Sequence, residues 1–91
     1  MSIVDEFNLE KIEGSSIYEI YEGNYSSDEE IEHKLKLAGY KFVKEEKKIY
    51  IRKIYADDIE LRIAILDSGN IRIWTFESEE YYEEELNHYK M

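Results

Sequence analysis

The chain has 91 residues, a formal net charge of −10 and nine tyrosines. This length predicts one domain, residues 1–91, and the aromatic and β-branched content argues against disorder. The lack of cysteine excludes disulfides and cysteine–zinc sites, and no apolar run approaches the ~18 residues of a membrane span. The acidity disfavours binding to free nucleic acid or to anionic membranes. Because the N-terminal residues lack a basic signal-peptide region, we expect a cytoplasmic protein.

The first part of the chain predicts short elements followed by a capped helix. Residues 3–13 fit either a short helix, which we favour, or a strand folded against residues 16–22. Residues 16–22 themselves could add a fifth strand to the sheet. Ser27 and Glu30 have the spacing of a capping box, and Gly39 follows as a stop signal. A helix over residues 27–38 is therefore predicted.

Residues 40–77 predict a four-stranded antiparallel meander, with strands at 40–44, 48–55, 59–66 and 71–76 and turns at 45–47 and 56–58. In the last hairpin, a three-residue loop would pair Ile63 with Ile73 and place one apolar set on a single face. This register predicts that one buried face carries Ile59, Leu61, Ile63, Ile65, Ile71 and Ile73.

The chain ends in a predicted helix that starts at Ser78. Its apolar stripe is formed by Tyr82, Leu86 and Tyr89, and Tyr81 lies off that stripe. Both helices should cover the isoleucine face. The predicted fold is therefore α+β, a small two-layer sandwich whose four- to five-stranded, mainly antiparallel sheet is covered on one face by two helices.

Signals for catalysis or metal binding are weak. His33 and His88 lie among charged helical residues without a nucleophile nearby, and the isolated glycines form no phosphate loop. Asp57, Asp58 and Glu60 fit a tight turn better than a cation site. We expect no catalytic residue, no metal and no cofactor.

The outer face of the predicted sheet would place Arg62 across from Trp74, a cation–π arrangement that Tyr50 and Arg52 could extend. Such a face could be a nucleic-acid platform or a homodimer contact. An ordinary cross-strand ladder is the simpler interpretation, and the net charge argues against direct nucleic-acid binding.

Acidic residues concentrate near both ends of the chain and flank a basic middle. Residues 1–30 have a net charge of −8, residues 31–56 of +5 and residues 77–91 of −5. Either the ends neutralise the middle, or they are kept acidic for a basic partner. The predicted partner-binding residues are Glu77, Glu79, Glu80, Tyr81, Glu83, Glu84, Glu85, Asp28, Glu29 and Glu32.

The segments 77–85 and 27–30 give the chain a resemblance to small acidic phage-encoded inhibitors of bacterial defence, the anti-CRISPR and DNA-mimic anti-restriction proteins. The resemblance implies a non-enzymatic inhibitor whose carboxylates occupy the nucleic-acid site of a basic enzyme such as a CRISPR or restriction nuclease. Barstar-like immunity proteins share the size and charge. The alternatives are such an immunity protein, a general interaction or assembly domain that forms a homodimer, or a nucleic-acid binder that uses the basic middle.

Overall fold

The structure, a computed structural model, describes residues 3–44, 48–55 and 59–90. The α+β class is confirmed, and residues 3–13 contain a helix as well as a strand. The predicted turns at 45–47 and 56–58, including Asp57 and Asp58, lie outside the described residues. The elements in chain order are α1 (Ile3–Glu6), β1 (Glu10–Gly14), β2 (Tyr18–Asn24), α2 (Asp28–Leu37), β3 (Lys41–Lys44), β4 (Lys48–Tyr55), β5 (Ile59–Asp67), β6 (Asn70–Phe76) and α3 (Glu79–Lys90).

The described strands form one six-stranded antiparallel sheet in the order β1-β2-β6-β5-β4-β3. The meander from β3 to β6 is confirmed. The β1–β2 hairpin extends the sheet because β2 pairs along the free edge of β6, from Tyr18 opposite Phe76 to Asn24 opposite Asn70. The sheet thus has more strands than the four or five predicted.

The predicted register of the β5–β6 hairpin is wrong. Asp67 pairs with Asn70, so the loop has only two residues, Ser68 and Gly69. Their φ angles of +47° and +86° are those of a type I′ turn, whose twist matches that of the flanking strands. Ile63 therefore lies opposite Trp74, not opposite Ile73.

Apolar residues are buried on both faces of the sheet, which corrects the predicted two-layer arrangement. One face, with Ala64, Leu66, Ile71 and Ile73, packs against α1 and α2 in a core that we call the α2-side core. The other face, with Leu61, Ile63 and Phe76, packs against Tyr82 and Leu86 of α3 in the α3-side core. The sheet is thus the middle of three layers, and the five described residues of the six predicted to share a face are divided between its two faces. The Ile59 side chain is not among those described.

The ends of α2 follow the predicted capping signals. The Ser27 hydroxyl accepts a hydrogen bond of 3.2 Å from the backbone N–H of Glu30. At the other end, Gly39 has a φ of +91°, a left-handed conformation that glycine adopts without steric cost. These caps fix where α2 begins and ends above its side of the sheet.

Candidate functional site

Helix α3 lies on the sheet with the predicted apolar stripe inward. Tyr82 and Leu86 are buried, and Tyr89 packs partly buried beside them. The Tyr82 ring meets the Phe76 ring edge-on, with centroids 6.2 Å apart. The opposite side of α3 is therefore left to the solvent.

The acidic residues of segment 77–85 lie on the outer side and flanks of α3, except Glu77, which precedes the helix. Glu77, Glu79, Glu80 and Glu84 are exposed, whereas Glu83 and Glu85 are half-buried. Glu83 faces β4, where its carboxylate lies 3.8 Å from the Lys53 ammonium. Burial is the main reason that the pKa of Tyr89 is raised, and the negative charge of Glu85 adds to this effect. We call the exposed residues Glu77, Glu79, Glu80, Tyr81 and Glu84 the α3 surface.

The second acidic group lies elsewhere. Asp28, Glu29 and Glu32 belong to α2, which packs on the other face of the sheet. Glu32 accepts a hydrogen bond of 2.7 Å from the Tyr50 hydroxyl and pairs with Lys48, and these contacts lower its pKa. Asp28 and Glu29 are exposed. The ten residues predicted from the sequence therefore form two separate surfaces and not one.

The basic middle of the chain does not gather into one groove among the described residues. Lys48 lies opposite Leu66 on the face of the α2-side core, and Lys53 lies opposite Leu61 on the other face. Lys34 is paired with Glu6 at 2.7 Å. Part of the positive charge is thus neutralised by the acidic ends, as the simpler interpretation of the charge pattern expected.

The predicted Arg62–Trp74 pair does not form. Arg62 lies opposite Thr75 and pairs with Glu60, whereas Trp74 points to the face that carries α3. The one-residue difference in register separates the two side chains because neighbouring residues of a strand face opposite ways. The platform proposed for nucleic acid or for a homodimer is therefore absent in the form expected.

A small groove lies between α3 and the neighbouring strands β2 and β6. Its volume is about 260 Å³. The Tyr18 and Trp74 rings have centroids 5.1 Å apart, and the Trp74 and Phe76 rings stack at 5.9 Å. We call this site the aromatic groove; it is lined by Ile17, Tyr18, Trp74, Phe76, Tyr81, Glu84, Glu85 and His88.

Carboxylates flank the aromatic groove. Glu84 and Glu85 line it from α3. From β1, Glu13 accepts a hydrogen bond of 3.0 Å from the Tyr18 hydroxyl, and this contact is the main reason that the pKa of Tyr18 is raised; the Glu85 charge also contributes. The Trp74 indole N–H is buried and finds no acceptor within the described part of the chain. The groove thus combines aromatic rings with a negative electrostatic environment.

Sequence reasoning identified Tyr81, Glu84 and Glu85, assigned Trp74 to a different site beside Arg62, and missed Tyr18 and Phe76 as members of a site. These aromatics come from strands about fifty residues apart, and only the β2–β6 pairing brings them together. Tyr18 and Ile20 lie two residues apart in the predicted strand and therefore share a face. This spacing was a signal that the strand has an apolar face.

Other features offer little chemistry. His33 is exposed on α2, and His88 is exposed at the edge of the aromatic groove. Across residues 3–44, 48–55 and 59–90, no group of three or more His, Cys, Asp or Glu side chains is arranged to hold a metal ion. None of the helices described there has the length and apolar character needed to cross a membrane.

Comparison with known proteins does not assign the chain to a family. It matches no protein-family model, no curated protein and no solved structure.

Proposed function

We propose that this chain is a non-enzymatic inhibitor that binds a basic, nucleic-acid-handling protein through the α3 surface and covers its nucleic-acid site. The observation that carries the proposal is the placement of Glu80 and Glu84, which are exposed one helical turn apart. Neither makes an ion pair within the described part of the chain. These charges are therefore available to a basic partner. A cytoplasmic location, where such enzymes act, belongs to the same proposal.

The spacing of these carboxylates supports a partner that normally binds phosphates. Side chains three and four residues apart on a helix have Cβ atoms about 5–6 Å apart. A row of carboxylates at this spacing is comparable to successive phosphates of one nucleic-acid strand. Lysine and arginine side chains that contact phosphates could therefore contact this row.

The cost of the charge cluster supports the same interpretation. Like-charged pairs at these spacings destabilise a helix by a few tenths of a kcal/mol each. Lys53 relieves this repulsion at Glu83, on the flank that faces the sheet. Repulsion that persists on the outer side of α3 is more useful in a binding surface than in a helix that only needs to be soluble.

A nuclease immunity protein would also bind a basic enzyme through exposed carboxylates. Identifying the partner would distinguish an immunity protein from an inhibitor of a defence nuclease. The homodimer alternative has lost its proposed surface, because Arg62 and Trp74 lie on opposite faces of the sheet.

The proposal is tested by capturing and identifying a partner from the source cell and then measuring its affinity for matched variants. The variant Glu80→Lys/Glu84→Lys reverses two charges of the α3 surface. Its control, Glu29→Lys/Glu30→Lys, makes the same change in net charge on exposed residues of α2, across the sheet. We expect a large loss of affinity from the first variant, a small loss from the control, and a steep dependence of the parent affinity on salt.

Equal losses from both variants would mean that only bulk charge matters, and the site would be wrong. Variants that bind the partner more weakly should also inhibit its catalytic activity less. The partner in complex with the parent chain should no longer bind nucleic acid. A ternary complex of chain, partner and nucleic acid would contradict blockage of the nucleic-acid site.

A further inference from the structure

The aromatic groove differs from the rest of the α3 surface because it is concave and apolar at its base. Tyr18 and Phe76 have ring centroids 6.0 Å apart, and Trp74 lies close to both. Tyr81, which is 42% exposed, adds a fourth ring from α3. A single side chain of a partner could therefore enter the groove and contact several rings at once.

Its size and charge restrict what the groove can take. Pockets for drug-sized ligands usually have volumes of about 300–1,000 Å³, so a groove of about 260 Å³ is better suited to a single side chain. An apolar side chain would bury Glu84 and Glu85 at its edge without a charged partner, which is unfavourable. A cation would interact favourably both with these carboxylates and with the negative faces of the rings.

We propose that the aromatic groove binds an arginine side chain presented by the basic protein partner. This inference rests on the proposed function, and it adds a specific contact to the nonspecific attraction between the α3 surface and a basic protein. Arginine fits better than lysine because its planar guanidinium stacks on aromatic rings and donates paired hydrogen bonds to carboxylates. Long-range attraction then brings the partner to the α3 surface, and the groove fixes its position.

The single tryptophan of the chain provides a direct reporter, because Trp74 lies in the groove. We suggest titrating the ¹⁵N-labelled full chain with the peptide acetyl-Gly-Gly-Arg-Gly-Gly-amide at low salt and following the indole signal by NMR. The control peptide carries citrulline, a neutral analogue of nearly the same shape, and a third peptide carries lysine. We expect a saturable shift with the arginine peptide, weaker binding of the lysine peptide and at least about tenfold weaker binding of the citrulline peptide, since it lacks the charge.

Two variants locate the binding. Tyr81→Leu keeps the charge and removes an exposed ring. It should lower the affinity for the arginine peptide about two- to fivefold. Glu85→Gln should weaken it by a similar factor. The matched control Glu80→Gln removes one carboxylate from the outer side of the same helix, and it should have a smaller effect than Glu85→Gln.

The inference is overturned if the arginine and citrulline peptides shift the indole signal equally, or if Glu80→Gln weakens the peptide as much as Glu85→Gln. These outcomes are separate from those of the proposed function. A partner that is lost with Glu80→Lys/Glu84→Lys, while the peptides show no preference for arginine, would leave the inhibitor proposal standing and reject the groove. Arginine-specific binding of the peptide, together with a partner insensitive to that double variant, would reject the α3 surface and also the groove as the contact with this partner, because Glu84 lines the groove.

Discussion

The orientation of α3 leads to a sharp prediction about two adjacent tyrosines. Tyr82 has an exposed fraction of 0%, meets the Phe76 ring edge-on and lies under the Lys53 ammonium, which is 5.4 Å from its ring centroid. Truncating a buried aromatic to alanine costs about 3–5 kcal/mol of unfolding free energy. A chain of 91 residues has a total stability of about 5–14 kcal/mol. Tyr82→Ala should therefore remove a large share of the stability.

The expected change is large in a thermal melt. At about 4–8 °C per kcal/mol for a domain of this size, Tyr82→Ala should lower Tm by at least about 12 °C. Tyr81 is 42% exposed, and a surface substitution usually changes stability by no more than about 0.5 kcal/mol. Tyr81→Ala should thus move Tm by about 4 °C at most. Thermal melts followed by far-UV circular dichroism measure both values.

The comparison is strict because both variants remove the same atoms from neighbouring positions of one helix. Equal losses of stability, or a larger loss for Tyr81→Ala, would mean that α3 is rotated relative to the sheet. The α3 surface and the aromatic groove would then both be wrong, since each depends on this rotation. A binding defect in a fully stable Tyr81→Ala variant would instead place this ring at the partner interface.

Three further outcomes test the fold. Ser27→Ala should cost about 1 kcal/mol in urea unfolding, and Ser27→Gly only a few tenths, because the hydroxyl caps α2. Ile63→Val and Ile73→Val should each lower the free energy of unfolding by about 0.5–1.5 kcal/mol. In the double variant the two losses should add to within about 0.5 kcal/mol, because the two side chains belong to cores on opposite faces. Stronger coupling would contradict the register. The lowered pKa of Glu32 means that its contacts with Tyr50 and Lys48 stabilise the fold above the ordinary glutamate pKa of 4.5, and that this contribution is lost as the pH falls through the lowered pKa. Glu32→Gln should therefore be less stable than the parent near pH 7, and the difference should shrink below about pH 4; a constant difference would argue against this contact.

Local signals in the sequence predicted most of the elements. Strand β4 has the predicted bounds, and the Ser27 cap and Gly39 stop define α2 as expected. The stripe of Tyr82, Leu86 and Tyr89 correctly gave the buried side of α3. These features depend on interactions within a few residues, which a single sequence contains in full.

The register of the β5–β6 hairpin could not be obtained by the same reasoning. The prediction assumed one buried face and chose the loop that collected the isoleucines on it. In the structure both faces are buried, so a slip of one residue moves an apolar set from one core to the other. Such a slip exposes much less apolar surface than it would in a sheet with one buried face. The uninterrupted apolar run from Ile63 to Leu66 is typical of a strand covered on both sides, and it was the available signal.

The candidate site was predictable only in its helical part. Tyr81 and the exposed glutamates follow from the period of α3, whereas the floor of the groove requires that β2 pair with β6. No local pattern specifies that pairing, because β2 precedes β6 by more than forty residues and is separated from it by α2 and three strands. The groove is a product of topology.

The three-layer arrangement places the two acidic clusters on opposite sides of the sheet. Glu32 of α2 is engaged by Tyr50 and Lys48, and that helix shares its layer with the Glu6–Lys34 pair, whereas Asp28 and Glu29 of the same helix are exposed. On the other side of the sheet, Lys53 pairs with Glu83 on the flank of α3. Glu84, which makes no ion pair within the described residues, also lines the aromatic groove. In the proposed complex, attraction at long range and a shaped contact at short range would therefore act on the same partner at this edge of α3.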